Sequence, residues 1–530
     1  MHVPLLLTDF LDRAVRIYGH ETAIIDGDVT LTYNDVFDRV QQLSHGLHDL
    51  GIQKGDRTAY LAPNSHEMFE GFYGVFQTGS VMTPLNTRLT PEDYIFILNH
   101  SESKVLFVDH TLYDTVKSIR SELETVHTVI VHGSAHPEDG DLAYEQWLNT
   151  YPSEPFERAE LEESDTASLL YTSGTTGNPK GVMLSHRSNY LHALTTMHHL
   201  RVTDKDTLLH VLPMFHVNGW GSPFYYTANG ACQVMQRKID ADSILDNIQQ
   251  HQVTVCHMAP TVLNMLIEAY TERRGSYSNQ QNVRVVIAGS APPPAFVTRV
   301  EEDLKWEFIQ VYGMTEIAPL VTTSQPLRYQ QQHKPEQLHR MKAKQGVPLI
   351  GSDVRVVSED GEEVPRDGKI VGEIVVRSNN VMEGYWQNPQ ATADTIRDGF
   401  LHTGDMANVD EEGFIEIVDR KKDVIISGGE NISSIEVEGC LYDHPDVLEA
   451  AVISVPHEKW GEVPHAVVVL REGASADEET LIAFSREKLA HFKAPKGITF
   501  THALPKTASG KIQKVQIRKP FWEGKDRFIN

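Results

Sequence analysis

The sequence predicts an α/β protein: a large N-terminal domain of layered α/β subdomains plus a β-rich subdomain, then a small C-terminal α+β domain. Three observations predict this. Short apolar runs at 105–108, 129–131 and 283–287 alternate with helical patterns, as in largely parallel sheets with both faces covered. Gly/Asp turns at Asp360-Gly361 and Asp367-Gly368 punctuate short strands, including one at 370–377. After residue 420 the texture changes to a charged stretch, Arg420-Lys421-Lys422-Asp423, then an apolar strand, a glycine pair and a helical run at 435–441. The expected domains are therefore 1–420 and 421–530, with Lys422 as a candidate hinge.

At the N-terminus, Pro4-Leu5-Leu6-Leu7 is too short for a signal segment, and Thr8, Asp9 and Asp12 after it read as a capped helix start. Val36, Val40, Leu43, Leu47 and Leu50 mark one helix face, and Gly51 is its stop. With 530 residues the chain is long enough for several domain-sized units. The formal net charge of −26 repels nucleic acid and anionic lipid over most of the surface, so an anionic ligand needs a local basic or amide-lined site. Cys232, Cys256 and Cys440 are far apart, with no metal-ligand spacing and no implied disulfide framework. No apolar run approaches the roughly 18 residues of a membrane span, so a cytoplasmic protein without an integral membrane segment is expected.

The strongest local signal is Tyr171-Thr-Ser-Gly-Thr-Thr-Gly-Asn-Pro-Lys-Gly181. An apolar run at 167–170 precedes it and a helix is expected from Ser185, a strand–loop–helix arrangement suited to phosphate. Glycines let backbone amides close on an anion. The hydroxyls of Thr172, Ser173, Thr175 and Thr176 add donors, and Lys180 adds charge for the outer phosphates. The spacing differs from the GxxxxGK[ST] loop of P-loop NTPases.

This loop resembles the signature of the adenylate-forming superfamily, which includes acyl-CoA synthetases, adenylation domains and beetle luciferases. Further segments match in the family's order: Ala288-Gly-Ser-Ala-Pro292, Tyr312-Gly-Met-Thr-Glu316, Leu401-His-Thr-Gly-Asp405, Asp419-Arg420 and Pro505-Lys-Thr-Ala-Ser-Gly-Lys511. The resemblance implies that ATP is bound by Thr172, Ser173, Gly174, Thr175, Thr176, Lys180, Gly289, Gln310, Tyr312, Gly313, Asp405 and Arg420. It implies Mg²⁺ on Glu316 and Thr176, and catalytic roles for Lys511, His216, Thr315 and Glu316. It also implies that the C-terminal domain is mobile, turning about Lys422 so that Lys511 serves adenylation and then withdraws.

Pro213-Met-Phe-His-Val-Asn-Gly-Trp220 is similar to the family's substrate-entry segment. By that similarity His216, Trp220, Ala288, Gly289 and Met314 line the acyl site, with Trp220 as gate or as core packing. Ser427-Gly428-Gly429-Glu430 is expected to form the strand lining the CoA thiol arm, with a plain turn as the other reading. The expected reaction makes an acyl-AMP from a medium- or long-chain fatty acid and passes the acyl group to coenzyme A. Short-chain, thioether and aryl acids stay open. So do a freestanding enzyme loading a carrier protein, a luciferase-like oxygenase and a nucleotide sensor. The expected partners are the acid, ATP and CoA, with no nucleic acid, and a homodimer as the assembly.

Overall fold

The computed structural model describes residues 1–133, 137, 140–172, 179–272, 282–289, 292, 294–428, 430–506 and 512–523, and all but the side chain of Asn431 within them. Among these residues the strands assemble into four sheets, of nine, eight, five and five strands.

The nine-stranded sheet has a parallel centre. Thr22–Asp26, Cys232–Met235, Thr207–His210, Val255–Met258, Arg284–Ile287 and Glu307–Gly313 lie side by side in that order. In the eight-stranded sheet, Val81–Pro84, Arg57–Leu61, Ser103–Asp109 and Thr128–His132 are parallel neighbours. The apolar runs near 105, 129 and 283 thus form buried parallel strands, as burial on both faces requires.

Helix Tyr33–Asp49 buries Val36, Val40, Leu43 and Leu47 completely. Thr32 and Asp35 form a reciprocal capping box at its start, and Gly51 takes a φ of 79° just past its end. The N-terminal helix begins at Thr8, but its cap is Leu7 and no side chain caps it. The capped start expected at Thr8 is therefore a helix start without that cap.

The β-rich unit is the antiparallel sheet of Ser352–Val357, Gly372–Ser378, Phe400–Val409 and Ile415–Arg420. The strand expected from 370 begins at Gly372, with Ile370 and Val371 exposed ahead of it. The small C-terminal domain has its own core around Ile425, Val437, Leu441, Val452, Ala466 and Leu481.

One segment differs from expectation. After the 171–181 loop the chain does not enter a helix directly. Lys180–Ser185 is a strand antiparallel to Thr166–Thr172, and helix His186–His199 follows it, capped by Ser185. The helix expected from Ser185 is thus present, and what was not foreseen is the strand Lys180–Ser185 ahead of it. A short apolar run such as Val182-Met-Leu184 reads alike in strand and helix, and only pairing decides it.

Candidate active site

Parallel strands place their loops at one edge, and ligands bind open α/β sheets at the carboxyl ends of strands. Here His210, Met258, Ile287 and Gly313 end four adjacent parallel strands. The segments leaving them carry His216, Ala288, Gly289, Met314, Thr315 and Glu316. Gln310 pairs with Ile287 across two of these strands, beside the Ala288-Gly289 exit. Gly313 has to be glycine: a Cβ there would lie 1.7 Å from the carbonyl oxygen of Pro319.

Asp405 and Arg420 face each other across two antiparallel strands, and Arg420 Nε lies 2.6 Å from Asp405 Oδ1. The other carboxylate oxygen accepts from the Tyr312 hydroxyl at 2.7 Å. Burial, reinforced by the charge of Asp405, pushes the Tyr312 phenol well above its ordinary pKa, so it stays a donor. Asp405 likewise holds Arg420 protonated.

Glu316 lies beside this group. Its Oε1 accepts from the Tyr385 hydroxyl at 2.9 Å. The Lys180 ammonium stands over the Tyr385 ring, 4.9 Å from its centre. Burial raises the Glu316 carboxyl above its usual range, opposed by the Tyr385 hydrogen bond and the charges of Arg420 and Lys180. Lys180, Tyr385, Glu316, Arg420, Asp405 and Tyr312 thus form one continuous cluster of cations, carboxylates and phenols.

The fold brings these residues together through pairings. Lys180 pairs with Thr172 at the mouth of the hairpin. Gly384–Tyr385 pairs with Val182 and Met183 on the next strand, which fixes Tyr385 next to Lys180. Tyr385 lies outside every motif singled out in the sequence, although the aromatic pair Tyr385-Trp386 behind Gly384 is a visible signal. Ser173, Gly174, Thr175, Thr176, Gly429 and Lys511 lie outside the described residues. The flanks of the last are tied: Lys506 bridges Ile512, and the Gln513 amide donates to the Pro505 carbonyl at 2.8 Å.

In the entry segment, Val217, Asn218, Gly219, Trp220 and Gly221 all have positive φ, between 49° and 71°. Such a run is costly for Val and Trp and marks a conformation held by its surroundings. Asn64 does part of the holding: it donates to the carbonyls of His210 and Leu212 and accepts from the Met214 amide. Trp220 is buried and stacks on His257 with ring centres 5.9 Å apart. His216 is half-buried at the start of this turn.

In the C-terminal domain, Ser427 and Glu430 pair as the ends of two short antiparallel strands, Ile425–Ser427 and Glu430–Ile432. The expected continuous strand is corrected to a hairpin, with Gly428 at a φ of 62° in the turn beneath Trp460. Lys422 sits in the connection before it, where Arg518 donates to its carbonyl and pairs with Asp423 at 3.1 Å. Helix Ser434–Tyr442 is fastened to the strand before this connection. The Ser434 amide donates to Asp419 at 2.7 Å, and Ser433 donates to the Val418 carbonyl.

As a set, the cluster offers donors and cations for phosphate, a carboxylate for a diol, and a hard oxygen ligand at Glu316 suited to Mg²⁺. Among the described residues no helix is long and apolar enough to cross a membrane.

Comparison with known proteins agrees with this chemistry. The family model described as AMP-binding enzyme matches residues 11–386, and that described as AMP-binding enzyme C-terminal domain matches 436–511. A 3-methylmercaptopropionyl-CoA ligase of Ruegeria pomeroyi is 36% identical over 98% of this chain and 98% of its own length. A long-chain-fatty-acid–CoA ligase of Thermus thermophilus is 38% identical over 98% of this chain and 96% of its own. The crystal structure of an anthranilate CoA ligase in complex with anthranoyl-AMP superposes with a TM-score of 0.88 at 26% identity, covering 98% of both chains.

Proposed function

We propose, from the premise that this chain belongs to the AMP-binding enzyme family, that it joins a medium- or long-chain fatty acid to coenzyme A through an acyl-adenylate. The chain is an ATP-dependent, AMP-forming acid–CoA ligase. The residue roles and the identity of the acid are our reading. The observation that carries it is the single cluster of Lys180, Tyr385, Glu316, Arg420, Asp405 and Tyr312.

In the first step a carboxylate oxygen attacks the α-phosphorus of ATP and pyrophosphate leaves. Negative charge gathers on phosphoryl oxygens, so positioning and fixed positive charge do most of the work. Lys180 stands at the mouth of the 171–181 loop to meet the outer phosphates. Asp405 has about four lone-pair sites, of which Tyr312 and Arg420 take two, leaving acceptors for the vicinal ribose hydroxyls. Tyr312 offers its ring to the adenine, and Thr315 contacts the α-phosphate. Glu316, with Thr176, would hold Mg²⁺, which supplies charge neutralisation to the phosphates. His216 sits by the reacting carboxylate, and Lys511 delivers its ammonium to the α-phosphate oxygens.

In the second step the CoA thiol attacks the acyl carbon, and AMP leaves with the anhydride oxygen. Turning the small domain about Lys422 exchanges the Lys511 loop for the Ser427–Glu430 hairpin at the site. We also propose a cytoplasmic location and a homodimer, which cell fractionation and light scattering test.

A second reading of the acid, a short or thioether chain, is favoured by Trp220. It is buried on His257, whose ring also meets the hydroxyls of Tyr225 and Tyr226, so the space behind the entry segment is filled by aromatics. The experiment is AMP release from a series of acids, butyrate to palmitate with 3-methylthiopropionate and benzoate, with and without CoA. CoA-dependent AMP release with its maximum at the longer chains supports the leading reading. A maximum at butyrate or the thioether supports the second, and ADP as product contradicts both.

A further inference from the structure

Away from the ATP cluster, a second group of buried ionisable side chains gathers where the two large sheets meet. Asp26 ends a strand of the nine-stranded sheet. Asp109 and His132 end paired parallel strands of the eight-stranded sheet, in register with each other. His66 and Glu67 open helix His66–Gln77 between them. All five are buried.

The donor atoms of Asp26, His66 and Glu67 converge, and His132 stands at the edge of that trio beside Glu67 and Asp109. His66 Nδ1 lies 2.9 Å from Asp26 Oδ2 and 3.4 Å from Glu67 Oε2. His132 Nδ1 lies 3.8 Å from Glu67 Oε1 and 3.6 Å from Asp109 Oδ2. Ligands at 2.0–2.2 Å around a tetrahedral ion are separated by about 3.3 Å, so the His66–Glu67 spacing needs almost no adjustment. Donor atoms of Asp26, His66 and Glu67 all lie within 4.8 Å of one another.

Two further observations point to a ligand. His132 is fully buried, and neither ring nitrogen has a hydrogen-bond partner among the described residues. Glu67 Oε2 is buried in the same condition. An orphaned polar group inside a protein ordinarily signals a missing partner. The charge is also unbalanced. Among the described residues Arg237 is the guanidinium facing Asp26, Glu67 and Asp109, paired at 2.7 Å with Asp109 and at 3.6 Å with Asp26. Even a protonated His66 leaves this group one positive charge short.

We propose that Asp26, His66 and Glu67, with His132 as a further nitrogen donor, bind one divalent transition-metal ion of the zinc class. Two imidazoles with carboxylates suit Zn²⁺, Co²⁺ or Mn²⁺ rather than Ca²⁺ or Mg²⁺. The site is structural. Two residues before His66, Asn64 fastens the 210–214 chain that leads to His216. An ion at the helix start would thereby brace the entry segment.

The test is metal uptake, independent of ligase activity. Untagged protein purified without chelator is analysed for metals, then stripped with dipicolinate and titrated with Zn²⁺ by calorimetry and with Co²⁺ by visible absorption. One ion per chain is expected, and Glu67→Gln and His132→Phe should each weaken uptake more than about 100-fold. His132→Phe gives up no hydrogen bond, and circular dichroism verifies its fold. Should Glu67→Gln fail to fold, the wild-type titration and His132→Phe decide the matter. Stripped wild-type protein that binds neither ion below about 10 μM, or variants binding as tightly as wild type, would overturn the site.

Discussion

Arg420 grips Asp405 across an antiparallel ladder, Nε to Oδ1 2.6 Å, while Tyr312 holds the other oxygen of the same carboxylate. This fixes the carboxylate's plane before any nucleotide arrives. Asp405→Asn keeps the shape but removes the charge. Its kcat/KM for ATP should fall about 10–100-fold, the scale of losing hydrogen bonds to a charged group. The KM for the acid should change little. Initial rates at varied ATP and varied acid check this, and equal losses for both substrates would contradict it.

Tyr385→Phe removes the donor that favours ionised Glu316. Burial already raises that carboxyl, so the loss raises it further and the acidic limb of the kcat profile moves to higher pH. The stability sign follows from the same group. A carboxyl whose folded pKa exceeds its unfolded value stabilises most at low pH and loses that contribution as pH rises through the folded value. The variant should therefore be less stable than wild type by about 1–2 kcal/mol near neutrality, with the deficit shrinking in acid. Denaturant melts at two pH values measure it. An unmoved acidic limb would remove Tyr385 from the site.

Lys514 is a half-buried cation of the small domain. It lies 2.7 Å from Glu438, donates to Ser434 and faces Asp419. Burial opposes its charge, but Glu438 and Asp419 outweigh burial and raise its pKa. Its contribution is thus complete below the unfolded value of 10.5 and lost as pH rises through the folded one. Lys514→Met strands the buried Asp419 and the half-buried Glu438 and should cost about 3–5 kcal/mol near neutrality. Burial raises both acids, so the cost should shrink as they neutralise in acid. Hydrogen exchange in helix Ser434–Tyr442 reports it. Unchanged exchange at neutral pH would show that the ammonium is not a clasp.

Much of this site was legible in the chain. Lys180, Tyr312, Glu316, Asp405 and Arg420 each sit in a short segment whose chemistry is local, and the fold brings them into one cluster. Tyr385 was not legible, because its role comes from the pairing of Gly384–Tyr385 with the Lys180 strand rather than from its neighbours in sequence. The strand Lys180–Ser185 was hidden for a related reason: six residues carry too little periodicity to separate strand from helix. Asp26, His66 and His132 come from a strand of one sheet, a helix and a strand of another sheet, so no spacing rule joins them.

Lys511→Ala separates the two half-reactions. Adenylation needs an ammonium at the α-phosphate, whereas attack on a finished anhydride does not. Acid-dependent ATP–pyrophosphate exchange should fall more than about 100-fold, the scale of removing one transition-state charge contact. CoA acylation from supplied acyl-AMP should stay near the wild-type rate. Parallel loss in both assays would deny Lys511 its step-specific role.

The central claim is that the acid's own oxygen attacks the innermost phosphorus. Acid carrying ¹⁸O in its carboxylate, turned over with ATP and CoA, tests it by mass spectrometry of the nucleotide product. The account predicts AMP bearing one ¹⁸O atom, with none in pyrophosphate. Unlabelled AMP, or label appearing in orthophosphate beside ADP, would contradict it.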